Sequence, residues 1–382
     1  MFLAFYYILT GLVWLYRARR ALRALEENPV IQSGFFPSPL PPSPPPLVSI
    51  LLPVKNEEEN LEACLKALLN QDYPSLEIIV INDHSIDRTG EILSKYSNLY
   101  PEKIHALDAP PLPAGWTGKN WALAHGVKTA RGEWFLFTDA DTRHERLSVS
   151  STLSHADLKD LDLVTLSPRC LTEGFWEKTI QPPAMAFMGL WFPFARINNP
   201  SSPAVFGNGQ YLLIRRNVYG ALGGHEKVKG AFLEDFALVK EAKQKKFRVE
   251  CAIGTKVFGT RMYRSIGGIW LGWRRIYLHA FEKNSLQLFF KSVLIFAFSV
   301  LPFLLFPLFT QTALEDPERL GRFWGAAFPI LALIGLTAWK SHAVVGAPRR
   351  YALLHPLAGL ILSGILVDAA WIALQKKEVR WR

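Results

Sequence analysis

Polar and apolar positions along this chain follow two regimes. In the first, apolar runs of strand length alternate with segments of helical length: residues 48–52, 78–81, 104–107 and 134–138 read as strands, and 57–69, 89–100 and 120–130 as the helices between them. Continuous apolar runs are what strands buried on both faces of a parallel sheet look like, and strand–helix alternation of this spacing predicts a doubly wound, mostly parallel α/β sheet with right-handed crossovers. Further on, 163–166 and 210–214 read as strands and 232–245 as a helix. The second regime is long apolar blocks at 1–16, 292–310, 321–339 and 356–374. Each approaches the roughly 20 residues that cross a bilayer as a helix. Residues 270–288 mix aromatic and basic side chains on an amphipathic pattern, as a helix lying on a membrane surface does.

These patterns divide the chain into an N-terminal transmembrane anchor (1–16), a basic and proline-rich linker (17–46), a soluble catalytic domain (47–269), an interfacial segment (270–290), C-terminal membrane segments (291–375) and a basic tail (376–382). The linker's proline-rich part, 36–46, cannot form helix or a central strand and is expected to be a stiff extended segment. Composition agrees with a membrane protein: 49% of residues are hydrophobic and the formal net charge is +10. The basic residues flank the apolar blocks, which points to topology and anionic lipid and away from nucleic acid. Arg17, Arg19, Arg20 and Arg23 directly follow the first block, so the domain after them is expected on the cytoplasmic side of the cell membrane. Three later crossings would strand the basic tail outside. Pro302 and Pro307 are therefore expected to break 292–310 into a re-entrant or interfacial piece, which returns the tail to the cytoplasm. The three cysteines, Cys64, Cys170 and Cys251, lack metal-ligand spacing and fit a reduced compartment.

The candidate chemistry sits at strand ends, where ligands of such sheets collect. The fourth strand stops in Asp139-Ala140-Asp141. Side chains two apart on a strand share a face, so both carboxylates can hold Mg²⁺ or Mn²⁺ on a diphosphate. Pro53-Val54-Lys55-Asn56-Glu57 follows the first strand and Asn82-Asp83-His84-Ser85 the second. Asp83 is placed to accept from a nucleobase or ribose. Gly115-Trp116-Thr117-Gly118-Lys119-Asn120 precedes a helix, so its amides and the Lys119 ammonium can face an anion. Phe206-Gly207-Asn208-Gly209-Gln210 permits close backbone approach to a ligand. Glu234-Asp235 opens a helix, and one of the two carboxylates can act as general base. Arg261-Met262-Tyr263-Arg264 and Trp273-Arg274-Arg275 offer cations and aromatics for a diphosphate or for anionic lipid. No Gly-x-Gly-x-x-Gly or Walker loop is present, which removes support for a dinucleotide or P-loop protein.

In this order the motifs resemble the family-2 glycosyltransferases over about residues 47–275. Gly-Trp-Thr-Gly-Lys, Gly-Asn-Gly-Gln and Arg-Met-Tyr-Arg-Ser are similar to the membrane-bound branch containing carotenoid (chlorobactene-type) glucosyltransferases and hopanoid-associated relatives. The resemblance implies a glycosyltransferase-A type fold and an inverting hexosyltransferase that uses a nucleotide diphosphate sugar, UDP-glucose above all, with a lipid acceptor such as a carotenoid. It assigns Asp83 to the nucleotide, Asp139 and Asp141 to metal and diphosphate, Asp235 to the base, and Lys119 to a place near the diphosphate; beside these, Glu234 is a candidate partner of the base, and Glu57, Gly209, Arg264 and Trp273, with Asp139, are candidates for binding the nucleotide sugar. The Gln-x-x-Arg-Trp signature of processive polysaccharide synthases is approximated only by Arg264 and Trp273, which favours a single transfer. A polyprenyl-phosphate glycosyltransferase and a non-catalytic membrane protein with a transferase-like domain are the alternative readings.

Overall fold

The computed structural model describes residues 2–34, 44–312, 314 and 316–375; most of the proline-rich linker and the basic tail lie outside the described residues. The chain divides into two compact units, one of Asn28–Arg169 with Phe192–Met262, the other of Met1–Glu27 with Cys170–Trp191 and Tyr263–Arg380.

The first unit is built on a seven-stranded sheet in the order Ile104–Asp108, Leu76–Asn82, Val48–Val54, Trp134–Phe137, Leu212–Arg215, Leu163–Ser167, Val249–Ile253. The first four strands are parallel, Leu212–Arg215 runs antiparallel to both neighbours, and the last two strands are parallel to each other. This is the mostly parallel α/β architecture that the alternation predicts. Successive side chains of each central strand enter opposite faces, as a two-residue period requires. Ile50, Leu52 and Leu136 join one apolar core, while Leu51, Phe135 and Phe137 join another with Ala122, Leu123 and Leu238. With both faces covered, only the strand ends are left for chemistry.

Two boundaries differ from expectation at such ends. The helix after the first strand covers Leu61–Leu69 and not 57–69, because Asn56 takes a left-handed conformation (φ 55°) and the Glu57 carbonyl accepts from the amides of Asn60 and Leu61 in a separate turn. The strand expected at 210–214 starts at Leu212, since the Tyr211 amide donates back to the Asn208 carbonyl. Both shifts turn expected regular structure into loop at the site.

The second unit is helical. The N-terminal helix is longer than the expected anchor, running from Phe2 to Glu27 through all four arginines. Among the described residues three helices are long and apolar enough to cross a membrane, Ser285–Gln311, Pro317–Val344 and Arg349–Leu374, and the N-terminal helix is not one of them. Two expectations are corrected here. Residues 270–288 are not one amphipathic helix: Ile266–Ala280 ends, Glu282 and Lys283 adopt positive φ, and Asn284 caps a new helix by accepting from the Gln287 amide. Nor do Pro302 and Pro307 break the first span. A π-helical turn at Phe296–Val300 lies directly ahead of Pro302, a widened turn of the kind that absorbs irregular backbone pairing, and the helix continues to Thr312. The last helix runs antiparallel to that span: Ser292 Oγ donates to the Ser363 carbonyl (2.9 Å), Gly359 packs on Ser299 and Val300, and Asp368 accepts from Trp270 Nε1 (2.7 Å). Leu374 therefore returns to the end of the bundle from which Ser285 starts.

Candidate active site

At the carboxyl end of Trp134–Phe137 the backbone leaves the sheet, and Thr138 holds the turn by donating its hydroxyl to the Gln210 carbonyl (2.9 Å). Asp139 and Asp141 follow. Lys119, in the first turn of the helix Gly118–Val127, reaches across to them. That helix start is fixed by the Thr117 side chain, which accepts from the Asn120 amide, and by the Asn120 carboxamide, which donates to the carbonyls of Val228, Lys229 and Ala231.

Lys119 Nζ lies 2.8 Å from Asp139 Oδ1 and 2.7 Å from Glu234 Oε1. Its charge is strongly favoured: the two carboxylates outweigh the burial that opposes it, and its pKa is raised. The remaining member of each acidic pair is raised. Burial first, then Asp139 and Glu57, push Asp141 up to about 7; burial first, then Glu234, push Asp235 up to about 7. Asp139 is itself raised, burial outweighing its lysine. Asp141 accepts at 3.3 Å from the Gln210 carboxamide, which also donates to Thr260 Oγ1 at 2.8 Å. Asp235 is held by backbone: Oδ2 accepts from the Gly209 amide (2.7 Å) and Oδ1 from the Phe236 amide (2.8 Å). His225, whose pKa burial and Lys119 lower to about 3, is bonded to Tyr219 and is no competitor as a base near neutral pH.

The glycines explain the loop that carries Gln210. A Cβ on Gly207 would collide with the Asp235 backbone, and one on Gly209 would lie 2.9 Å from Lys119 Nζ and 3.0 Å from Glu234 Oε1. The loop thus lies against the start of the helix Glu234–Gln244 with no room for side chains. Asp83 occupies a neighbouring position, 3.0 Å from Lys55 Nζ, and a Cβ on Gly118 would come within 2.5 Å of its Oδ2.

Of the residues singled out in the sequence, Glu57, Lys119, Asp139, Asp141, Gly209, Glu234 and Asp235 come together, and Asp83 sits beside the Lys119 helix. Arg264 and Trp273 belong to the helical unit, where Trp273 is buried with its indole N–H on Gln181 Oε1 (2.8 Å). Sequence reasoning passed over three contributors. Gln210 was visible inside its motif without a role; Thr138 and Thr260 carry no signal, since a threonine in a strand is ordinary.

Residues 49–223 match the model of glycosyl transferase family 2. The probable glycosyltransferase YdaM of Bacillus subtilis is 33% identical over 189 residues, 47% of this chain and 43% of that protein. The 4,4'-diaponeurosporenoate glycosyltransferase of Staphylococcus aureus is 26% identical over 220 residues, 57% of this chain and 56% of that protein. The chain therefore spans only about half the length of these relatives. Among solved structures, the mannosyltransferase PcManGT of Pyrobaculum calidifontis, in complex with GDP-Man and Mn²⁺, aligns over 98% of this chain and 100% of that one with a TM-score of 0.52 at 18% identity, a likeness of fold. The chain carries a family-2 glycosyltransferase domain at residues 49–223, on a sheet of the glycosyltransferase-A type.

Proposed function

We propose that this protein is a membrane-bound, metal-dependent, inverting hexosyltransferase that moves a sugar, glucose first among candidates, from a nucleotide diphosphate donor to the hydroxyl or carboxyl of a lipid such as a carotenoid. The observation that carries the reading is Asp235: a carboxylate fixed by two backbone amides, raised to about 7, next to a lysine and a second acidic pair. A base whose pKa lies near the working pH combines availability with driving force.

In this reading the acceptor O–H gives its proton to Asp235 while its oxygen attacks the anomeric carbon. The bond from that carbon to the diphosphate breaks, and its electron pair leaves with the diphosphate. One displacement inverts the centre. Lys119, now shared by Asp139 and Glu234, turns its charge toward the diphosphate oxygens. Asp83 accepts from the nucleoside, and Glu57 adds negative charge beside Asp141.

The residues fit a divalent cation. Among the described residues no three His, Cys, Asp or Glu side chains group into an all-protein metal cage. Mg²⁺ and Mn²⁺ at phosphate sites are commonly held by one or two carboxylates plus the phosphates themselves. Asp139 and Asp141 offer hard oxygens, and Asp141, raised first by burial and then by Asp139 and Glu57, is a buried carboxyl whose charged form a cation would favour. Bound there, the ion would neutralise charge on the leaving diphosphate.

The acceptor class draws support from the three apolar helices and from the relative named as a diaponeurosporenoate glycosyltransferase. Because the last helix returns Leu374 to the end where Ser285 begins, one of the three apolar helices does not cross the bilayer in this reading, and the basic tail is assigned to the same, cytoplasmic, side as Arg274, Arg275 and Lys283. A reporter at Arg382 that reads as external would refute that assignment. The test of function is a mass-spectrometric assay of the purified full chain with Mn²⁺ or Mg²⁺, a panel of nucleotide sugars, and a carotenoid acid, a carotenoid or hopanoid alcohol and undecaprenyl phosphate as acceptors. A glycosylated carotenoid lost in Asp141→Ala supports the reading. Product on undecaprenyl phosphate alone replaces the acceptor class, and absence of donor binding overturns the catalytic assignment.

A further inference from the structure

The helical unit contains a half-open pocket with a cavity volume of about 70 Å³, walled by Trp14, Phe187 and Leu190 and carrying three ionisable side chains, Arg17, His342 and His355. It draws on the N-terminal helix, the helix Phe175–Trp191 and the two helices Pro317–Val344 and Arg349–Leu374, both apolar enough to span a membrane. Arg17 lies over the Trp14 ring (4.9 Å to its centroid) and near that of Phe187 (5.8 Å). Its hydrogen bond, to Ser299 Oγ, is long at 3.4 Å, and among the described residues it forms no ion pair. His342 and His355 are 1% and 5% exposed, and each has a buried Nε2 without a hydrogen-bond partner. The hydroxyls on this wall are spent on their own helix, Thr337 on the Leu333 carbonyl and Ser341 on the Thr337 carbonyl.

Buried polar groups are nearly always paired, and a guanidinium among aromatic and aliphatic walls is costly without a counter-charge. Ionisable side chains kept in such surroundings mark ligand sites. The missing partner has to be an anion that accepts from a planar fork of N–H groups, and the apolar walls ask for a hydrocarbon attached to it. A carboxylic acid or a phosphate monoester meets both demands, and its oxygens satisfy an imidazole nitrogen in either protonation state. We propose that this cavity holds the acidic headgroup of a membrane lipid, a carboxylate or phosphate on a long hydrocarbon chain, with Arg17 as counter-charge and the Nε2 atoms of His342 and His355 as hydrogen-bonding partners. The site stands apart from the glycosyl-transfer reading and requires no turnover.

The test is equilibrium binding to the full chain in a neutral detergent, using radiolabelled palmitate, dodecyl phosphate and hexadecanol. The expected result is at least tenfold tighter retention of the two acids than of the alcohol, with no displacement of dodecyl phosphate by millimolar inorganic phosphate. Arg17→Gln removes that preference, Arg17→Lys keeps most of it, and His355→Phe weakens acid binding by about threefold. Nucleotide binding by each variant reports that the catalytic unit is intact. Equal retention of acid and alcohol by the wild type overturns the proposal even if a variant fails to fold. So does undiminished acid binding in Arg17→Gln, and displacement by inorganic phosphate would mark a site for free anions and not for lipid.

Discussion

The two acidic pairs of the candidate site, Asp139 with Asp141 and Glu234 with Asp235, divide the same lysine between them. Lys119 binds one member of each, Asp139 and Glu234, while the other member, Asp141 or Asp235, is raised to about 7 by burial above all. What separates the two remaining carboxylates is their anchoring. Asp235 is gripped by main-chain amides that cannot rotate away, whereas Asp141 is met by the swinging carboxamide of Gln210. A rigid carboxylate of neutral pKa suits proton transfer; one with a replaceable partner suits a ligand that comes and goes.

The most direct way to break this comparison is Asp235→Asn. It keeps shape and the Gly209 contact but cannot take a proton, and transfer should fall about 10³-fold in kcat with donor affinity within about threefold of wild type. Equal loss of both would reduce Asp235 to a structural group. Asp141→Asn should cost about 10²-fold in kcat/KM and abolish tight Mn²⁺ binding, read by titration calorimetry, since the cation loses one of two carboxylates. Lys119→Met removes the shared counter-charge and leaves Asp139 and Glu234 buried without it. A loss of about 3–5 kcal/mol in stability is expected, because breaking a buried pair strands its partners, with donor affinity falling at least tenfold. If unfolding by denaturant shows no loss, the sharing of Lys119 by the two pairs is wrong.

The pH profile sharpens the comparison further. Transfer by the wild type should rise through pH about 7 and level above it, as Asp235 loses its proton. Stability should move the other way. A carboxyl raised in the folded state binds more protons there than in the unfolded chain, so its contribution to stability falls as pH climbs from its ordinary value near 4 to about 7. Asp235→Asn should thus melt higher than wild type at pH 8 and converge with it by pH 4. The smallest effect is expected for Gly209→Ala, whose Cβ at 2.9 Å displaces the flexible end of Lys119; a threefold to tenfold drop in kcat/KM would fit. No drop would mean that Lys119 need not hold its place.

The parallel half of the sheet was legible because strands covered on both faces leave no choice but continuous apolar runs, as in Val48–Val54 and Trp134–Phe137. The rest was harder for identifiable reasons. Ser148–Leu158 buries four hydroxyl residues, Ser148, Ser150, Ser151 and Thr152, beside Val149, Leu153 and Ala156, so its apolar stripe is short and shares the buried face with polar side chains. Phe175–Trp191 contains Pro182 and Pro183, which read as a break. The acidic pairs, Lys119 and the glycine loop were visible as motifs in order, and the family resemblance they suggested is matched by the family model at residues 49–223. The pairs' sharing of one ammonium was not visible, because it depends on 2.7–2.8 Å contacts between residues more than a hundred positions apart in the case of Glu234.

Asp368 has a consequence for how the protein is made. It lies inside the last apolar helix and accepts from Trp270 Nε1 and from Arg274 (3.1 Å), both on a helix synthesised almost a hundred residues earlier. Until the ribosome delivers that last helix, Arg274 waits without this counter-ion, so a chain cut short before the last helix leaves the cation without its Asp368 partner.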